Sequence, residues 1–128
     1  MPLVRIALRE GKSPSYLEAI GESVHRAMVE TIKVPADDRF QIFTEHSPEA
    51  LVYDPGYLGI KRSDDVVLIQ ITLNTGRTQE MKRALYRAIA EKLAKDPGLR
   101  NEDILISLVE VPKENWSFGQ GEMSYVKE

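Results

Sequence analysis

Apolar residues recur along this chain in two alternating arrangements. Short runs rich in Val, Ile and Leu have the composition of β-strands, and longer stretches between them return an apolar residue every three or four positions, as on one face of a helix. Two such helices are predicted, one after Ser13 and one after Thr78. Four strands are predicted at residues 2–8, 39–46, 66–73 and 104–111.

The helix limits are marked by residues that suit helix ends. Ser13 can accept a hydrogen bond from a free N–H group of the first turn, and Pro14 suits the first helical position. The first helix should end before Pro35, because the residue before a proline disfavours helical backbone. Thr78 can cap the second helix in the same way, and the sequence KDPG closes it.

The order of strand, helix and strand occurs twice. The second half starts at Val66, 64 positions after Pro2, and the two caps Ser13 and Thr78 are 65 positions apart. We therefore predict an α/β (α+β) fold in which two tandem β-α-β units form a four-stranded sheet with two helices on one face. A single domain spans residues 1–128, with repeats at 2–46 and 66–111 and a C-terminal flap or hairpin at 112–128.

The face of the sheet away from the helices is predicted to be partly apolar. The first strand places Val4, Ile6 and Leu8 on one side, while the third strand keeps apolar residues on both sides. An uncovered face of this kind favours an oligomer interface. The alternative is that the tail and the loop at 48–63 fold over it.

Composition narrows the classes of function. The 128 residues carry 42% hydrophobic and 29% charged residues and a formal net charge of −3, without a basic run that could follow a phosphate backbone. Nucleic acid is therefore not an expected partner. No apolar run reaches the ~20 residues that span a bilayer and no secretory leader is visible, so a cytoplasmic protein without membrane contact is expected.

Thiol and metal chemistry is also disfavoured. The chain has no cysteine, which excludes disulfides, thiolate nucleophiles and cysteine-ligated metal centres, and it has only 2 histidines. We expect no metal and no cofactor.

The proline behind the initiator methionine is a candidate catalytic group. Proline lacks a backbone N–H and is tolerated at the first residue of a strand, so Pro2 can be there for no chemical reason. If Met1 is removed, however, Pro2 becomes a rigid secondary amine at the end of a core strand. Such an amine can act as a base or, when protonated, can polarise a carbonyl.

Other candidates have structural explanations as well. Asp37 and Asp38 stand in a turn, where aspartate side chains commonly bond to nearby backbone, and either could face a pocket. Arg77 follows a strand and precedes a helix, a position suited to gripping a carboxylate, although a solvated loop arginine is the more common case. Trp116 and Phe118 each read as core residues when taken singly, and together they could form the wall of a pocket.

Several segments together resemble a known family. The N-terminal MPL strand, the two β-α-β units, VPADDRFQ after the first helix, GRT before the second and WSFG after the last strand are similar to the tautomerase superfamily, and most of all to its malonate semialdehyde decarboxylase-like branch. This resemblance implies a tautomerase (MIF-like) fold, homotrimers, and a catalytic N-terminal proline that needs no cofactor.

The resemblance also assigns roles. Pro2 would be the catalytic group, Asp38 the carboxylate that assists through water, and Arg77 the anchor for the substrate carboxylate. Trp116 and Phe118 would form an apolar wall beside the substrate.

One position departs from the decarboxylase pattern. The family has a second arginine two places before Arg77, and this chain has Thr75 there, as a substrate-binding candidate without charge. The substrate can therefore differ from malonate semialdehyde.

The leading hypothesis is a cofactor-independent enzyme that tautomerises or decarboxylates a small 2-oxo or 3-oxo carboxylic acid, with hydratase or dehalogenase side activity conceivable. The protonation state of Pro2 would decide between these reactions. Two alternatives stay open at this point: a non-catalytic trimeric binding or scaffold protein of the same fold, and an unrelated ferredoxin-like regulatory domain.

Overall fold

The computed structural model describes residues 2–126 and contains the predicted order of elements. Each strand begins within two residues of its predicted start. The elements are β1 (Leu3–Arg9), α1 (Pro14–Ile32), β2 (Gln41–His46), β3 (Val67–Asn74), α2 (Gln79–Lys95) and β4 (Ile104–Val111).

Both helices begin at the predicted caps. The Ser13 hydroxyl accepts a hydrogen bond from the Tyr16 N–H at 3.2 Å, and the Thr78 hydroxyl accepts one from the Met81 N–H at 3.2 Å. Helix α1 ends at Ile32. The next residue, Lys33, has left-handed backbone (φ 61°) and turns the chain out of the helix before Pro35, as predicted.

The sheet joins the two halves of the chain through its central strands. Its order is β2-β1-β3-β4, with parallel pairing inside each half and antiparallel pairing between β1 and β3. Leu3 pairs with Thr72 and Leu8 with Val67, so the start of β1 lies beside the end of β3.

One face of this sheet forms the core with both helices. Alternate residues of β1 and β3 point into it, as predicted, and the inward stripes of α1 and α2 pack on them. The largest of the fully buried side chains are Ile6, Leu8, Ile20, Met28, Ile32, Ile69, Ile71, Leu73, Leu85, Ile89 and Leu93.

The opposite face is open at its middle. Leu105 and Val109 of β4 are 43% and 37% exposed, and residues of all four strands line a depression of about 330 Å³ there. The loop after β2 reaches one end of this face, where Tyr57 and Val52 line a cavity with Leu105. The alternative that loop and tail cover the face is therefore wrong for its central part.

The tail is a flap rather than a β-hairpin. Up to residue 126 it contains a 3₁₀ turn at Lys113–Asn115 and further turns, but no strand. It folds back on itself, because the Ser124 N–H donates to the Trp116 carbonyl at 3.3 Å and the Phe118 N–H donates to the Ser124 hydroxyl at 2.9 Å. Residues 127 and 128 of the predicted flap lie outside the described residues.

A search for membrane-spanning segments through the described part of the chain finds no helix of the required length and apolar character.

A core truncation should test the packing of α2. Ile89→Ala removes a side chain with 0% exposure, so we expect it to lower the free energy of unfolding by about 2–5 kcal/mol. The exposed Arg87 on the same helix is the control, and Arg87→Ala should change stability by less than about 0.5 kcal/mol. Urea unfolding of both variants measures this difference; equal values would contradict the packing described.

Candidate active site

The first predicted site residue, Pro2, is buried directly ahead of β1. The start of this strand lies between two segments of the sheet. On one side the Val4 N–H donates to the Phe40 carbonyl at 3.0 Å, and on the other Leu3 pairs with Thr72. Pro2 therefore lies between the segment that leads into β2 and the end of β3. Met1 lies outside the described residues.

Asp38 is a buried carboxylate in the segment before β2. It is 5% exposed, and a turn holds its backbone, with the Asp38 N–H donating to the Pro35 carbonyl at 3.0 Å. Neither carboxylate oxygen has a hydrogen-bond partner among residues 2–126. Turn chemistry of the side chain is therefore not its role here, and the neighbouring Asp37 is the exposed member of the pair.

The surroundings of Asp38 make its charged form unfavourable. Burial raises the pKa of this carboxyl above its ordinary value, the nearby Asp37 adds to the rise, and His25 opposes it. A carboxyl in this state takes up a proton more readily than a solvated one, and it is free to bind water or substrate.

Helix α1 holds the segment that carries Asp38. The His25 ring bonds to the Ala36 carbonyl at 2.9 Å, and since a carbonyl only accepts, Nε2 carries the hydrogen. Farther along, the Gln41 side chain donates to the Gly21 carbonyl at 2.8 Å. A Cβ atom at Gly21 would lie 2.6 Å from the Gln41 Oε1, so the absence of a side chain permits this close contact.

Arg77 lies where β3 passes into α2. Its guanidinium donates to the Asn74 carbonyl at 3.2 Å and to the Ile32 carbonyl at 3.3 Å, which ties it to the end of α1. A guanidinium has five N–H donors, so others remain for a substrate carboxylate. Thr75 is exposed next to it, and its N–H bonds to the Val111 carbonyl at 3.0 Å.

The aromatic residues of the flap form a cluster outside the core. Trp116 and Phe118 stack with ring centroids 5.2 Å apart and an interplanar angle of 10°. Phe118 also contacts Phe40 at 6.1 Å and meets the edge of Tyr125 at 5.5 Å. Phe118 is 37% exposed and Trp116 is half-buried, so the interpretation of each as a core residue is wrong.

Two further residues of this site were missed in the sequence. Asn74 is 7% exposed, and its Oδ1 accepts a hydrogen bond from the Trp116 indole N–H at 2.7 Å. The second residue is Tyr125. Burial raises the pKa of its phenol, the charge of Asp38 raises this pKa further, and the Asn74 side chain lowers it. Asn74 could have been noticed as a polar residue that ends an apolar strand. Tyr125 has no local signal, since the tail shows no periodic pattern.

These side chains converge on one end of the sheet around the start of β1. The site offers a buried carboxylate without a partner, an arginine with free donors and an aromatic wall. This combination suits binding of a small carboxylate and transfer of a proton beside it. Residues 2–126 contain no group of three or more His, Asp or Glu side chains placed to hold a metal ion.

Comparison with known proteins finds matches to tautomerases. One family profile described as "tautomerase enzyme" matches residues 38–119, and a second of the same description matches residues 2–61. "Probable tautomerase YusQ" of Bacillus subtilis is 40% identical over 99% of this chain and 100% of its own length. These matches decide against an unrelated ferredoxin-like domain.

Solved structures of the same fold also match this chain. FG41 malonate semialdehyde decarboxylase, inhibited by 3-bromopropiolate, superposes with a TM-score of 0.90 at 40% identity, covering 96% of this chain and 93% of that one. A second malonate semialdehyde decarboxylase, described as having decarboxylase and hydratase activities, superposes with a TM-score of 0.90 at 32% identity, with 95% and 94% covered. A fused 4-OT described as a symmetric trimer shares the fold at 23% identity, with a TM-score of 0.77 and 94% of each chain covered.

The raised pKa of Asp38 leads to a prediction about stability. Between the ordinary value of 3.8 and the raised value, the folded state binds a proton that the unfolded state has released. Stability therefore falls as pH rises through this range, and the loss persists at neutral pH. We expect Asp38→Asn to raise the melting temperature at pH 7 and this gain to vanish below pH 3.8, where the wild-type carboxyl is protonated in both states.

Thermal unfolding across pH measures this effect. The control is Asp37→Asn, which removes an exposed charge from the neighbouring position and should change the melting temperature less. A lower melting temperature for Asp38→Asn at neutral pH would show that the carboxylate is stabilised rather than penalised by its surroundings.

Proposed function

Because this chain belongs to the tautomerase family, we propose that it is a cofactor-independent enzyme that uses Pro2 as a catalytic amine on a small 2-oxo or 3-oxo carboxylic acid. The observation that carries the proposal is the convergence of Pro2, Asp38 and Arg77 at one end of the sheet. The carboxylate of Asp38, buried and without a hydrogen-bond partner within residues 2–126, supports it most, because such a group is costly for stability and is typical of active sites.

Arg77 would bind the substrate carboxylate. Its two bonds to backbone carbonyls orient the guanidinium, and its remaining donors can form a bidentate pair with the ligand. Thr75 stands in the place of a second cation, so this chain would hold the substrate with one positive charge and a neutral hydroxyl beside it.

Pro2 would act in one of two protonation states. As a neutral amine it takes a proton from the carbon next to the 2-oxo group and delivers it to the carbonyl oxygen, which gives the enol; the reverse transfer gives the keto form. As a cation it donates a hydrogen bond to a 3-oxo carbonyl oxygen. The electron pair of the breaking C–CO2 bond then forms the C=C bond of the enol, the proton of Pro2 passes to the oxygen, and carbon dioxide leaves. An ionised Asp38 nearby favours the cation, and a protonated Asp38 favours the neutral amine.

The comparisons support both reactions to different degrees. The two decarboxylase structures match at 40% and 32% identity with high TM-scores, which supports decarboxylation, whereas the Bacillus relative carries the name of a tautomerase. A non-catalytic scaffold of the same fold is the competing function, and the missing second arginine at Thr75 favours it.

We also propose that the open sheet face forms a homotrimer. Leu105 and Val109 are more than one third exposed there, and burying such residues between subunits is favourable. Sedimentation should give the mass of three chains of 14.5 kDa. Leu105→Asp should dissociate the assembly.

The matched control for assembly is Tyr86→Asp. Tyr86 is 38% exposed on α2, on the other side of the molecule, and this change should leave the mass unaltered. A monomeric wild type, or equal behaviour of the two variants, would contradict the trimer.

The catalytic role of Pro2 is tested by activity on two substrates. Intact mass is measured first to establish whether Met1 has been removed, and turnover of phenylpyruvate and malonate semialdehyde is then measured on processed protein. Because general acid–base catalysis typically contributes about 10²–10⁴-fold, Pro2→Ala should lower kcat/KM by at least about 100-fold. Pro48→Ala, in an exposed loop, should retain wild-type activity.

Each result has a distinct meaning. The faster substrate sets the reaction class, and a small effect of Pro2→Ala would exclude the amine mechanism. If processed wild-type protein converts neither compound, a binding or scaffold role becomes the better explanation.

A further inference from the structure

Asn74 occupies a junction between the sheet, the site arginine and the flap. It is the last residue of β3, it is 7% exposed, and Asn74 pairs with Val111 of β4. The chain turns at Thr75 immediately afterwards to reach Arg77. A polar side chain buried at such a place must find partners to offset its desolvation.

Two groups of Asn74 meet two other residues. Its backbone carbonyl accepts from the Arg77 guanidinium at 3.2 Å, and its Oδ1 accepts from the Trp116 indole N–H at 2.7 Å. The Asn74 side chain also lowers the pKa of the Tyr125 phenol, against the effect of burial. One residue thus contacts both the carboxylate anchor and the aromatic cluster.

The flap has few other polar ties to the rest of the molecule. Within residues 112–126, every other hydrogen bond that the structure shows for the flap joins two flap residues, such as those from Ser124 to Trp116 and from Phe118 to Ser124. An apolar contact between Phe40, just ahead of β2, and Phe118 at 6.1 Å also joins the flap to the rest of the molecule. Among the hydrogen bonds within residues 2–126, the one from Trp116 to Asn74 is the one that fixes the flap over the site.

The chemistry of the side chain fits this contact. A carboxamide presents an acceptor oxygen to the indole N–H and carries no charge that burial would penalise. An aspartate at this position would keep the acceptor and lose the donor. A leucine would lose both.

We propose that Asn74 is a positioning residue that docks the flap and thereby sets the aromatic wall of Trp116 and Phe118 beside Arg77. This inference rests on the proposed function for its kinetic consequence, but its structural part stands independently. Loss of the contact should free the flap and weaken substrate binding, while the reacting group Pro2 stays in place.

The fluorescence of Trp116 tests docking without any substrate. Trp116 is the only tryptophan of the chain, so its emission reports on the flap alone. Asn74→Ala should shift this emission to longer wavelength and increase quenching by acrylamide. The control is Asn115→Ala, an exposed asparagine next to Trp116, which should behave as wild type. Wild-type emission and quenching in Asn74→Ala would overturn the proposal.

A rescue variant separates docking from a general loss of structure. Asn74→Asp keeps an acceptor for the indole N–H, so its emission should stay closer to wild type than that of Asn74→Ala. If Asn74→Ala does not fold, Trp116→Phe removes the N–H and keeps a ring. It should then speed chymotryptic cleavage within residues 116–125, and unchanged cleavage would overturn the proposal.

Kinetics test the consequence for the site. Asn74→Ala should raise KM about tenfold or more and change kcat less, since leaving a buried hydrogen-bonding group unpaired costs roughly a factor of ten in affinity. An unchanged KM, with or without a fall in kcat of about tenfold, would contradict a positioning role. If wild-type protein converts no substrate, the proposed function fails, and the emission of Trp116 still decides whether Asn74 docks the flap.

Discussion

The antiparallel pairing of β1 with β3 is the constraint on which the rest of the structure depends. Each β-α-β half has only two parallel strands and one helix, and neither half alone can bury its apolar faces. The pairing of β1 with β3 joins the two halves into one sheet, and both helices pack on it in one core. Because Leu3 pairs with Thr72, it also brings the beginning of the chain next to the end of β3.

The site follows from that pairing. The residue ahead of β1, the segment that carries Asp38 and the turn that carries Arg77 come from distant parts of the chain, yet they meet at one end of the sheet. Helix α1 contributes as well, since it holds the Asp38 segment through His25 and the carbonyl of its last residue, Ile32, accepts from Arg77. The flap then adds an aromatic wall through Asn74. The contacts that hold the elements together, such as the β1–β3 pairing and the bond from Arg77 to Ile32, therefore also position the residues of the site.

Stability and chemistry are opposed at Asp38. A carboxyl that is 5% exposed and lacks a hydrogen-bond partner among residues 2–126 costs free energy whenever it is ionised. The fold can carry this cost because the central strands and helices bury an extensive apolar core. A group in this condition takes up a proton more readily than a solvated carboxyl, which links the electrostatics of the site to the reactions proposed for it.

The sequence by itself determined the elements and much of the site. Alternation in the strands, the helical stripes and the caps Ser13 and Thr78 are local signals, and each was confirmed because local sterics and hydrogen bonds act over a few residues. Asp38 and Arg77 could be singled out from short motifs. Only the tertiary structure decided that Asp38 has no hydrogen-bond partner in the part of the chain that the structure describes, and that Asn74 joins the flap to the site. Those facts depend on contacts between residues 42 positions apart, as for Asn74 and Trp116, and no local pattern records them.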